Sequence, residues 1–382
     1  MNVKAAVILA PGEIEIKEFP YPEVDDDTAL MKMEMSGICG TDNHMYKGET
    51  VHLGVHDTPF PIIPGHENVG TLADIGEVAA GKMEIEGGNL KKGDRVVAAC
   101  DVLCGECYNC RHTFGYAWCE NQLEYGTLLS CSKSPYLFGG WAEYMYILPK
   151  VFLFKVPDGM KLETAVLTEE MAVAYGSLLK AALPYPLALE GFGPGDTVVV
   201  QGPGPLGICH AIMARIMGAG DIIIVGPGIE DSEVRMGLVE RLGIADQTIN
   251  ISEPKERVDE VLKLTGGRGA DLVVECTDSP HAVGEGLEML RKGGTFIEAG
   301  NFVDVGPTTL NPNVLICGNN ARIIGVTSMP YQGYSKVLRI MERHSKNIPF
   351  DKVVTHSFTI DEAEKALSTT IGGRCLKAVI TP

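Results

Sequence analysis

Apolar positions fall in short runs along the first 165 or so residues and in longer unbroken blocks after that. Residues 4–9, 29–35, 70–75, 94–99 and 141–147 are β-rich runs cut by Pro and Gly turns, a pattern that predicts a β-barrel-like domain. Residues 164–182 carry few breakers and predict a helix. A different rhythm follows: strand 197–200, helix 204–217, strand 222–225, helix 233–242, then buried strands at 271–275 and 295–299, each preceded by a helix. Continuous apolar strands alternating with helices predict a parallel, doubly wound sheet. Beyond about residue 318 the pattern is mixed again and ends in a strand over 377–381. The expected fold class is therefore α/β, with an α/β domain (171–318) inserted between a first domain (1–170) and its returning C-terminal part (319–382).

Composition narrows the function classes. The net charge of −18 repels phosphate backbones and anionic lipid, so neither nucleic acid nor a membrane surface is an expected partner. No run of about twenty apolar residues spans a bilayer. The opening apolar run is too short for a signal peptide, and eleven cysteines without one point to a reducing compartment, with thiols serving metal. The expected location is the cytoplasm.

The chemistry concentrates in three motifs. Cys104, Cys107, Cys110 and Cys119 have the close spacing of a tetrahedral four-sulfur zinc site; an iron–sulfur cluster is the rival for four cysteines. Cys100 ends a strand before this loop and reads as a buried thiol. Cys39 and His66 are ligands suited to an open zinc site, with Glu67 adjacent to His66. Glu169 and Glu170 open a helix, where acidic residues also complement the dipole. Third, a strand leads into Gly202-Pro203-Gly204-Pro205-Leu206-Gly207 and a helix, the pattern of a dinucleotide-phosphate turn. The second strand ends on Gly226 where a ribose-binding carboxylate is usual. Glu230 and Asp231 follow, and the first cation is Arg235, an arrangement that favours NAD over NADP.

Together, Gly37-Ile38-Cys39-Gly40-Thr41-Asp42-Asn43-His44, Gly65-His66-Glu67, the four-cysteine loop, Lys92-Gly93-Asp94-Arg95-Val96 and the glycine turn resemble the medium-chain, zinc-dependent alcohol and polyol dehydrogenases over nearly the full chain. The resemblance implies a GroES-like β-barrel catalytic domain and a Rossmann dinucleotide domain. It implies two zinc ions per chain: a catalytic one on Cys39 and His66 with Glu67 as ligand or exchanging ligand, and a structural one on the four cysteines. Glu169 matches the polyol-type metal ligand. Thr41 matches the hydroxyl that bonds the alcohol, His44 the proton relay, and Asp42 the carboxylate that orients the zinc histidine. Thr277, Gly300 and Asn301 match the nicotinamide side, and Lys377 a basic residue that reaches the pyrophosphate. A homodimer or homotetramer acting on a small alcohol or ketone is implied. Gly226-Pro227 and Gly300-Asn301-Phe302 with Asp304 and Gly306 resemble a branch that includes hydroxycamphor-type dehydrogenases, which tilts the expected substrate toward a secondary, even cyclic, alcohol. A zinc-free enoyl or quinone reductase and a non-enzymatic NAD-binding redox sensor are the competing classes. Tyr116, Trp118, Phe138, Trp141 and the loop over residues 46–60 are candidates for the pocket wall, and residues 79–90 for a solvated loop.

Overall fold

The apolar blocks after residue 197 form a parallel sheet in the computed structural model, which describes residues 1–49, 58–112, 118–183, 191–327 and 331–382, without the side chains of Asp231 and Gln332. The chain divides into two units: Met1–Ala172 with Ser328–Ile371 and Lys377–Pro382, and Val173–Thr327 with Gly372–Leu376.

In the second unit six strands lie in the order Gln247–Asn250, Ile222–Gly226, Val198–Gln201, Ala270–Glu275, Leu290–Glu298, Arg322–Gly325, and every pair is parallel. The strand order reverses on either side of the first strand, Val198–Gln201, and that switch point is where open α/β sheets bind ligands. The inner strands read Val-Val-Val and Ile-Ile-Ile because helices cover both faces of the sheet. Arg322–Gly325 was assigned to the returning C-terminal part; it is instead the sixth strand, so the boundary lies at 327 rather than 318. Its alternation of half-buried and exposed positions is that of an edge strand and lacks the apolar block that marks the others. Residues 372–376 also belong to this unit.

In the first unit, Ala29–Gly37 and Glu67–Ile75 are the centre of an antiparallel sheet that continues through Arg95–Ala98 to Leu153–Lys155. On its other side Ala29–Gly37 pairs with Lys377–Thr381, so the C-terminal strand lies against the strand that leads to Cys39. Against Glu67–Ile75, the register of Ala29–Gly37 shifts by one residue between Leu30 and Met31 and again between Met33 and Met35. The predicted 164–182 helix is two helices, Leu162–Ala165 and Thr168–Ala182, with the Thr168 hydroxyl donating to the Ala165 carbonyl at 2.7 Å. The solvated-loop expectation for 79–90 fails in part. Glu77–Lys82 is helical, and Ala79, Met83 and Leu90 are buried. Trp141 is fully buried and Phe138 nearly so; both are core rather than pocket wall. Tyr116 and residues 50–57 lie outside the described residues.

One buried ion pair dominates the second unit's polar core. Arg257 meets Glu285 through two parallel contacts of 2.7 Å and also donates to the carbonyls of Ile251 and Ser252. Both side chains are only about a tenth exposed, so removing one partner strands the other's charge. Arg257→Ala is expected to cost about 3–5 kcal/mol of stability, read as a lowered urea midpoint in unfolding followed by circular dichroism.

Candidate active site and metal centres

Cys39 immediately precedes the helix Gly40–Lys47, and its backbone N–H donates to Asp42 Oδ2 at 2.8 Å. Asp42 Oδ1 accepts from Gly65 N–H at 3.2 Å, so one buried carboxylate ties the Cys39 turn to the His66 turn. Asp42 was expected to orient the histidine ring by hydrogen bonding. Its bonds go to backbone instead, and His66 Nδ1 has no hydrogen-bond partner. Gly65 takes φ +92°, a conformation that suits glycine, where the chain turns into the strand Glu67–Ile75.

Ligand atoms of Cys39, His66 and Glu67 lie within 4.8 Å of one another. A thiol, an imidazole with an orphaned nitrogen and a carboxylate make a donor set that suits zinc. Glu169 is not in that group of three. It faces His66 and Glu67 electrostatically, and burial lifts its carboxyl to about 8. Burial also raises the Cys39 thiol. For His66, burial works against the charged form, but the Cys39 sulfur, Asp42 and Glu124 more than offset it and hold the imidazole well above its ordinary value. The Thr41 hydroxyl is 3.6 Å from Cys39 Sγ, and His44, also buried, pairs through Nδ1 with Glu49.

Lys377 is fully buried against two carboxylates: its ammonium contacts Glu67 Oε2 and donates to Glu170 Oε1 at 3.0 Å. Burial opposes its charge, but Glu170 and Glu67 keep it protonated well above the ordinary lysine range. This overturns the expectation that Lys377 reaches a pyrophosphate. Gly37 makes the arrangement fit, since a Cβ there would sit 1.7 Å from Glu67 Oε2 and 2.9 Å from Lys377 Cε. Glu170, which with Glu169 opens the helix where a carboxylate either joins the ligand set or complements the dipole, is here the partner of Lys377.

The four sulfurs of Cys104, Cys107, Cys110 and Cys119 also lie within 4.8 Å of one another. Backbone N–H groups of Glu106 and Cys107 point at Cys104 Sγ (3.4 and 3.3 Å) and hold its thiol down at about 6. Cys110 N–H points at Cys107 Sγ and Cys104 N–H at Cys119 Sγ, each at 3.4 Å. Backbone donors aimed at sulfur are what thiolates bound to a metal need. Cys100 stays apart, buried beside the Tyr334 hydroxyl at 3.7 Å.

In the second unit the glycine turn sits as predicted between Val198–Gln201 and the helix Pro205–Ile216. Gly202 has φ +102°, and a Cβ on Gly207 would lie 2.1 Å from the Gly202 carbonyl, so both must be glycine. A Cβ on Gly204 would meet only Arg235 Nη1, at 3.9 Å, which leaves open space over the helix N-terminus for a phosphate. Pro205 and Leu206 open that helix. Glu230 is exposed at the start of Glu230–Leu242, and the Asp231 side chain is outside the description. The absence of a carboxylate at 226 has a steric cause: Asn250 Oδ1 accepts from Gly228 N–H and lies 2.6 Å from a Gly226 Cβ. Arg235 also donates to the Cys375 carbonyl at 2.9 Å.

Thr277, Gly300 and Asn301 come together. A Gly300 Cβ would lie 1.9 Å from the Thr277 carbonyl. Two acids that sequence reasoning missed lie beneath them. Glu275 accepts from Thr277 N–H at 2.6 Å, and Asn301 Nδ2 reaches Glu275 at 3.2 Å and Glu298 at 3.1 Å. Burial and then Glu298 raise the Glu275 carboxyl to about 9. Each acid ends a strand, and an apolar-pattern reading counts such a residue as a boundary.

Comparison with known proteins follows the same division. Residues 25–158 match the alcohol dehydrogenase GroES-like domain and residues 205–343 the zinc-binding dehydrogenase domain. The chain is 30% identical to a protein named a probable alcohol dehydrogenase of Mycobacterium tuberculosis, covering 100% of this chain and 98% of that one. It is also 30% identical to 5-exo-hydroxycamphor dehydrogenase of Pseudomonas putida, over 99% and 98% of the two chains. An alcohol dehydrogenase of Thermotoga maritima superposes over 100% of both chains with a TM-score of 0.87 at 30% identity.

The two clusters share no residue, so a metal held by one is expected to be lost without loss of a metal at the other. Plasma emission analysis of purified protein is expected to find two zinc ions per chain, and one each in Cys39→Ser and Cys104→Ser. Cys104→Ser is also expected to lower the melting temperature, because that knot closes a loop.

Proposed function

Because the chain belongs to the zinc-binding alcohol dehydrogenase family, we propose that it moves hydride between an alcohol or polyol and a nicotinamide dinucleotide, NAD in preference to NADP. The observation that carries this reading is the convergence of Cys39, His66 and Glu67 within 4.8 Å beside Thr41, in a chain that also has the glycine turn. Cys39, His66 and Glu67 would hold a catalytic zinc, with Glu169, which feels His66 and Glu67 electrostatically, as the alternative carboxylate, and the four cysteines a structural one. When bound, zinc supplies Lewis acidity toward a hydroxyl or carbonyl oxygen, and the nicotinamide accepts or returns the hydride.

The chain's own residues handle the proton. Thr41, 3.6 Å from the Cys39 sulfur, takes a hydrogen bond from the alcohol hydroxyl. His44, three residues on along the same helix and paired with Glu49, carries the proton onward. Lys377 pairs with Glu67 and so offsets the cost of burying charge in this ligand set. On the cofactor side, Arg235 beside Gly204 serves the pyrophosphate, and exposed Glu230 favours a free ribose hydroxyl over a 2′-phosphate. Thr277, Gly300 and Asn301 line the nicotinamide end. A homodimer or homotetramer is the expected assembly.

Cys39→Ser is expected to lower kcat for alcohol oxidation at least 10³-fold (on the order of 4 kcal/mol of barrier) while the NADH dissociation constant, read by fluorescence, changes less than about threefold. Activity equal to wild type would sink the mechanism. Arg235→Ala is expected to weaken NAD and NADP alike, whereas Glu230→Gln narrows the gap between them; an unchanged NAD/NADP ratio in Glu230→Gln removes the cofactor argument.

A further inference from the structure

The stems of the four-cysteine loop carry an arrangement that the metal knot alone does not explain. Asp101–Val102 and Leu123–Glu124 form a two-stranded antiparallel ladder in which Asp101 is directly opposite Glu124. Two carboxyls facing each other across a ladder destabilise it, and Asp101 is buried besides. Cys104 and Cys119 lie between the two strands, so closing the knot fixes the two acids against each other.

Around this pair the groups are mixed in kind. Gln122 Nε2 donates to Asp101 Oδ1 at 2.5 Å. The Thr127 hydroxyl is buried against the Glu124 carboxyl. The Cys100 thiol and Tyr334 hydroxyl, 3.7 Å apart, feel both Asp101 and Glu169. Gly126, between Glu124 and Thr127, packs directly on Gly65, since a Cβ there would lie 2.8 Å from the Gly65 carbonyl; this sets the segment beside His66, a member of the proposed zinc ligand set, on which both acids also act electrostatically. Burial lifts Asp101 to about 6 and, with Asp101 opposite, Glu124 to about 8, so the pair offers a donor as well as acceptors near neutral pH.

We propose that Asp101 and Glu124, with Thr127, form a hydroxyl-recognising wall beside the Cys39, His66 and Glu67 cluster, selecting a polyol over a monofunctional or terpenoid alcohol. This rests on the dehydrogenase reading of that cluster. An apolar ring against the wall would desolvate two carboxyls and give nothing back. Substrate hydroxyls are donors and acceptors at once, which matches the interleaving of carboxyl, amide, hydroxyl and thiol groups. A site for an ammonium would be lined with acceptors alone. On this proposal the substrate is a polyol rather than the cyclic alcohol toward which the sequence tilts.

The test is kcat/KM of the zinc-loaded full chain on butane-2,3-diol, xylitol, butan-2-ol, borneol and 3-aminobutan-2-ol. The better of the two polyols is expected to exceed butan-2-ol and borneol by about 100-fold, the discrimination typical of a site built to bond a hydroxyl being at least that large. The ratio of polyol to butan-2-ol is expected to fall at least tenfold in Asp101→Asn and in Glu124→Gln, chiefly through KM, and also in the near-isosteric Thr127→Val should either acid variant fail to fold. Borneol or the amino alcohol as best substrate overturns the proposal, as does a ratio unchanged in the variants, which would make the acids merely structural. If wild type oxidises none of these compounds with either cofactor, the dehydrogenase reading falls. Calorimetry of xylitol binding then decides the wall by itself: binding lost in Asp101→Asn upholds it, and no binding to wild type ends it.

Discussion

A lysine ammonium with no solvent exposure, held between Glu67 and Glu170, is the interaction around which the first unit is organised. A buried carboxylate next to a thiol and an imidazole is expensive unless a cation compensates it. That requirement brings the C-terminal strand Lys377–Thr381 against the end of Ala29–Gly37, next to Cys39, and demands a glycine at 37, where any side chain would displace both charges. The ligand set, the register of the central strands and the place of the C-terminus are consequences of one electrostatic constraint.

Asp42 solves a second problem in the same unit. A metal ligand set drawn from residues 39 and 66 needs two turns held at fixed separation, and one buried carboxylate bonded to a backbone N–H in each does so. The four-cysteine knot acts similarly one loop away. Its stems carry Asp101 and Glu124, so the four-cysteine loop and this acid pair are mechanically one element.

The second unit uses close backbone approach where the first uses charge. Gly202, Gly207 and Gly300 each occupy a position where a Cβ would meet a carbonyl oxygen at under 3.0 Å, which keeps the loops at the ends of the strands within reach of one another. Glu275, Glu298 and Asn301 then knit the loops after two neighbouring strands into a single part-buried network. The missing acid at 226 belongs to the same logic, because Asn250 already fills that corner.

Much of this was legible in the chain. The four cysteines, Cys39 with Thr41 and His44, His66 with Glu67, and the glycine turn are each short segments whose spacing reflects the geometry of a sulfur tetrahedron, a helix N-terminus or a tight turn. The alternation of apolar blocks likewise defined the four inner strands of the parallel sheet but neither edge strand, Gln247–Asn250 or Arg322–Gly325, whose half-exposed patterns carry little hydrophobic signal. The partners of Lys377, the backbone role of Asp42 and the confrontation of Asp101 with Glu124 were not legible. Lys377 and Glu170 lie 207 residues apart, and only the folded sheet decides which distant charge a buried one meets. Local chemistry is written in spacing; compensation of buried charge is a property of the packed interior, and tertiary structure alone supplied it.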